Sequence, residues 1–127
     1  MHKKLGIEAG ARVNTRNAPS DYQQLLAPLP ADVAFSTRFR NNVDLWHLFT
    51  KSKSELVAVL PIAKSQIKMD GMIWVSWPKK SSGISSSVTE DTIREICLPM
   101  GLVDVKVCAV DDTWSGLKLV IRKELRK

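Results

Sequence analysis

Two apolar runs, "VDLWHLF" (Val43–Phe49) and "GMIWVSW" (residues 71–77), are too continuous for a half-exposed strand and too short for a buried helix. Runs of this kind are strands covered on both faces, which is how a parallel sheet is built. The covering helices can be read beside them. "SKSELVAVLPIAKSQI" (52–67) places Leu56, Val59, Leu60, Ala63 and Ile67 on one side, with Pro61 predicting a kink or break. "TEDTIREICLPMG" (89–101) spaces Ile93, Ile96, Cys97 and Met100 at helical intervals and stops at Gly101. Upstream, "ARVNTR" (11–16) and "DVAFST" (32–37) read as strands around a short helix in "APSDYQQLL" (18–26). Downstream, "VDVKVCAV" and "LKLVIRK" alternate apolar and polar about "DDTWSG", which predicts an antiparallel pair at the sheet's edge and a frayed basic tail "RKELRK". Alternating strands and helices define an α/β chain. The expected fold is a three-layer α/β/α arrangement, a mainly parallel Rossmann-like sheet with a C-terminal antiparallel edge hairpin. Residues 1–127 are expected to form one domain, a common size for one core.

Such sheets bind ligands outside the carboxyl ends of their strands. Three S-x-x-[E/Q] matches, Ser20 to Gln23, Ser52 to Glu55 and Ser87 to Glu90, predict capped helix starts along that edge. The loops there carry Arg16, Arg38, Arg40, Lys51, Lys53, Lys79 and Lys80 with no acid between them. The other 12 bases nearly cancel the 13 acids, so this edge accounts for the net charge of +6. Counting the acids of the first helical turns lowers the edge to +3 and keeps its sign. The candidate binding residues are Arg16, Arg38, Lys79 and Lys80 as charge carriers, Asn17, Ser81 and Ser82 as hydrogen-bond donors, and Trp77 as a ring beside "PKKSSG". The bland reading of "KKSSGISSS" is a solvated serine-rich loop.

Other constellations are weaker. Asp44 and His47 lie three apart on a strand and point to opposite faces, so His47 reads as a satisfied interior histidine. Asp111 and Asp112 read as solvated turn acids. Trp46 and Trp74 read as core, while Trp114 falls in the hairpin turn. Cys97 and Cys108 form no CxxC pair and read as reduced core thiols, and two histidines without ligand spacing give no metal site. No apolar run reaches the ~18 residues a membrane helix needs, and the start lacks a signal-peptide core, so a cytoplasmic location is expected. The spread of bases over several loops argues against nucleic acid.

"LPIAKSQIKMDGMIWVSWPK" resembles the fourth-helix-to-fifth-strand segment of class I methyltransferases, "MGLVDVKVCAV" a later segment, and "LGIEAGARV" the approach to their first strand. The order of elements is similar to that fold shortened by one strand-helix unit. The resemblance implies S-adenosylmethionine, a glycine-rich loop after the first strand and an acid ending the second. This chain reads "NTRNAPSDY" and "FSTRFR" at those places, with no glycine and with Arg38 in the acid's position, so the cofactor is not expected. "WVSWPKKSSG", "NAPSDY" and the run from Thr89 to Val120 resemble, over the whole length, a small bacterial family, domain of unknown function three thousand and fifty-two, which implies no activity. The preferred expectation is a non-catalytic module for a phosphate- or carboxylate-bearing small molecule or an acidic protein surface. The alternatives are a divergent methyltransferase-like enzyme with Tyr22 or His47 handling protons, and a homo-oligomer built on the hairpin edge around Trp114.

Overall fold

The computed structural model describes residues 2–126. Six strands form one sheet: β1 (Arg12–Arg16), β2 (Ala34–Ser36), β3 (Val43–Phe49), β4 (Ile67–Pro78), β5 (Leu102–Ala109) and β6 (Trp114–Ile121). Their order is β2-β1-β3-β4-β6-β5. The first four pair in parallel, and β6 runs against both β4 and β5. Helices α1 (His2–Leu5) and α2 (Tyr22–Leu26) cover one face, α3 (Lys53–Gln66) and α4 (Glu90–Cys97) the other. The result is a mostly parallel Rossmann-like sheet between two helical layers, with an antiparallel C-terminal pair. Among the described residues, no helix is long and apolar enough to cross a membrane.

The two central runs behave as their composition demands. Six of the seven residues of β3 are buried, and Ile73, Trp74, Val75 and Ser76 of β4 are fully buried. β4 is longer than its apolar run because α3 passes into it without a loop. Its first residues carry a register slip against β3, and Gly71 sits there because a Cβ would lie 3.0 Å from the carbonyls of both Lys68 and Val43. Pro61 lies inside α3, which is neither broken nor ended by it. The proline is exposed, so only the amide of one outward turn is given up.

The tail is tied down rather than frayed. Residues Lys123–Leu125 form one 3-10 turn, Arg122 donates its amide to Gly101 and Arg126 its Nε to Ile121; Lys127 lies outside the described residues. Cys97 is buried on the α3/α4 face and Cys108 packs on the other, both as free thiols. β2 and β5 are the two edges of the sheet, and β5 bulges at Val105, between Asp104 and Lys106. A bulge and two charges on an edge strand are the features that discourage pairing with another chain.

Candidate functional site

β1 and β3 lie side by side, while the chain goes outward to β2 between them. This is the topological switch point, and the ends of β1 and β3 face a crevice there. The turn after β1 is made by Asn17, which holds a left-handed backbone (φ 59°) without being glycine. Its side chain closes the crevice. Asn17 Nδ2 donates to the Phe49 carbonyl at 3.1 Å and lies 3.2 Å from each carboxylate oxygen of Glu55. Arg16 Nε is 3.6 Å from the same carboxylate.

Ser52 caps α3 as expected, accepting from the Glu55 amide. Glu55 does not complete the box. The Ser52 amide goes to Thr50 Oγ1, which frees the Glu55 carboxylate to reach β1. Partial burial pushes the Glu55 carboxyl up, but hydrogen bonds from Thr50 and Asn17 and the charge of Arg16 outweigh it and hold the group below its ordinary range. The other two motif matches fail. Ser20 caps nothing, since Asp21 precedes α2 and gives no side-chain bond. Ser87 accepts instead from the Lys53 amide, and Thr89 caps α4. A three-residue pattern does not specify which hydroxyl reaches a free amide.

Three cavities surround the end of β1. One of about 410 Å³ lies toward α3 and is lined by Arg16, Asn17, Thr37, Arg38, Trp46 and Gln66 among others, with no carboxylate. One of about 480 Å³ occupies the switch point, with Phe49, Ile84 and Trp114 as its apolar wall and Glu55, Lys51 and Ser52 at its rim. The third, about 420 Å³, lies beside Tyr22 and Phe35. All fall in the usual size range of small-molecule sites. Of the seven edge bases, Arg16 is the one with an acid in ion-pair distance among the described residues.

The "WPKKSSG" residues are separate from this group. Lys80–Ser82 form a 3-10 turn ended by Gly83 in the left-handed region. Ser82 Oγ donates to the Lys79 carbonyl and accepts from the Ile84 amide, so its hydroxyl serves the turn. Lys80 and Ser81 are exposed, Lys79 ties its amide to the Thr113 carbonyl, and Trp77 packs against the α3/α4 core. Trp77, Lys79, Lys80, Ser81 and Ser82 line none of the three cavities, whereas Arg16, Asn17 and Arg38 line one together.

Tyr22 and His47 are brought together. Tyr22 Oη lies 2.8 Å from His47 Nδ1, and His47 Nε2 lies 2.7 Å from Ser76 Oγ. His47 stacks on Phe49 at 4.2 Å. Burial holds the His47 pKa down at about 3 and pushes the Tyr22 hydroxyl above its ordinary value. Ser76 and His47 are 0% exposed, so this serine-histidine pair meets no solvent. Ser76 was the missing member in sequence reasoning; its signal is a lone hydroxyl inside an apolar strand. Asp44 points away, accepting from the Arg12 amide and pairing with Lys68. Asp111 accepts from the amides of Thr113 and Trp114, a turn role.

A sheet of this order with α-helices on both faces defines the class: a methyltransferase-like Rossmann fold. A Sulfolobus solfataricus protein provisionally assigned as a type 11 methyltransferase superposes with a TM-score of 0.69 at 14% identity, over 97% of this chain and 90% of its own. Magnesium protoporphyrin IX methyltransferase from Synechocystis PCC 6803 gives 0.56 at 15% identity (91% and 69%), and Aeropyrum pernix fibrillarin 0.57 at 13% (89% and 67%). The chain belongs to the family of proteins of unknown function DUF3052, whose model matches residues 36–123. The match omits "NAPSDY" and all of β1, so it is shorter than the whole-length resemblance expected. No curated protein matches significantly.

Proposed function

We propose that the chain is a non-catalytic module that binds a phosphate- or carboxylate-bearing ligand at the carboxyl edge of the sheet. The observation that carries this reading is the cavity in which Arg16 and Arg38 meet with no carboxylate in the lining. Two guanidiniums suit a two-oxygen anion, and the Thr37 hydroxyl adds a donor, while the Asn17 amide is already taken by Phe49 and Glu55. Among the described residues Arg38 has no acid within ion-pair distance, and its amide donates to Ser36 Oγ. The three hydrogen-bonded residues Tyr22, His47 and Ser76 read better as a satisfied core array than as proton-transfer groups.

The residues do not fit S-adenosylmethionine. The place where a glycine turn would let the cofactor approach is filled by the Asn17 side chain, bonded across to Phe49. β2 ends at Ser36 and is followed by Thr37 and Arg38, which supply no carboxylate for ribose hydroxyls, and the arginines repel a sulfonium.

A thermal-shift series tests the reading. Phosphate, sulfate, sugar phosphates and coenzyme A are compared with S-adenosylmethionine on wild type, an Arg16→Gln/Arg38→Gln double variant and a Lys79→Ala/Lys80→Ala double variant. A ligand at a hundredfold its Kd stabilises by about 2.7 kcal/mol. The expected result is a phosphate-class shift lost in the arginine variant and kept in the lysine variant. Silence across the panel, or a shift from S-adenosylmethionine alone, overturns it.

A further inference from the structure

We infer that the ligand is an amphipathic anion, whose charged end lies on Arg16 and Arg38 and whose apolar body fills the recess walled by Phe49, Ile84 and Trp114. This rests on the anionic-ligand reading above and goes further by fixing the chemistry of the rest of the molecule.

The two cavities adjoin at Asn17, which lines both. Arg16 of the basic cavity stands 3.6 Å from Glu55 of the apolar one. A ligand larger than either cavity would span both by lying over this contact of Asn17, Glu55 and Arg16 at the end of β1. Glu55 lies there with its carboxylate held by Asn17 and paired with Arg16, so among the described residues the uncompensated positive charge there is that of Arg38.

One side of the recess, Ile84, is apolar surface that the fold itself does not use, whereas Phe49 and Trp114 also belong to the core on the α1/α2 face. Ile84 is the one apolar side chain in the serine and glycine run 81–87, it is 40% exposed, and it belongs to neither core cluster. Its position is nevertheless fixed. Gly83 turns the backbone, and Ser82 Oγ takes the Ile84 amide at 3.2 Å. Opposite it, Trp114 stands edge-on to the buried Phe49 ring at 5.2 Å. In this reading "KKSSG" is the arm that carries Ile84 over the recess, rather than an anion loop.

The test compares 1-naphthyl phosphate with inorganic phosphate by calorimetric titration, on wild type, Ile84→Ser and Arg38→Gln. Both positions are exposed, so the variants keep the fold. Moving about 55 Å² of apolar surface into the recess gives a gain of about tenfold. Wild type should prefer the naphthyl ester by at least that factor, Ile84→Ser should remove the preference without weakening phosphate, and Arg38→Gln should weaken both. Equal affinity for the two probes in wild type, or a preference that survives Ile84→Ser, overturns the amphipathic ligand and leaves the anion site standing. Binding of neither probe, or Arg38→Gln without effect on either, overturns the anion site and this inference with it.

Discussion

His47 has a hydroxyl on each ring nitrogen and no exposed surface, so folding holds it neutral. Its pKa is about 3 in the fold, against an ordinary value of 6.5. Below pH 6.5 the unfolded chain takes a proton that the folded chain refuses, so stability falls as pH falls toward 3 and is complete above 6.5. Between pH 7 and pH 5 the loss is about 2 kcal/mol. Urea midpoints at the two pH values should show it in wild type and not in His47→Gln. Tyr22→Phe leaves His47 Nδ1 without its partner in the core and should cost about 1–2 kcal/mol by urea melts, with ligand affinity unchanged. An unchanged affinity separates a core tyrosine from a proton-transfer one. The apolar run around His47 was enough to read it as an interior, satisfied histidine. Its partners were not legible, because Tyr22 reaches it through the placement of α2, and Ser76 through the β3/β4 register. Arg16, Asn17 and Arg38 could be grouped from sequence because they follow two neighbouring strands. Lys79 and Lys80 could not be excluded, because a turn's direction is not written in its composition.

At the scale of elements, the two observed caps and one failed capping motif make a graded prediction. Ser52→Ala and Thr89→Ala should each cost about 1 kcal/mol, since each hydroxyl accepts from the amide three residues on. Ser20→Ala should stay within about 0.5 kcal/mol, since it caps nothing. Thermal melts of the three variants distinguish them, and equal losses would contradict the assigned caps. Pro61→Ala restores an amide to an exposed turn of α3 and should stabilise by about 1–3 kcal/mol. Strands and long helices were legible because β-strand and helical periods leave long patterns. The helix starts were less so, since Ser, Thr and Asp within two residues of one another compete for the same amide.

The whole molecule has a stability gradient set by its sheet. β4 is twelve residues long and paired on both sides, while β2 has three residues and one neighbour. Amide exchange should therefore be slowest in the middle of β3 and β4 and fastest in β2. Protection of β2 equal to that of β4 would argue against this order of strands. The sequence pattern placed the last two strands together at an edge, and it was the paired register that put β6 inside β5. That ordering has a bearing on synthesis. The last of the six described strands in sequence is an interior one, so β4 keeps an open flank while residues 79 to 113 are being made, until Trp114–Ile121 slides in beside it. A ribosome pausing in that stretch, or a cut within it, would leave Ile73 and Val75 on an uncovered edge for chaperones and proteases to find.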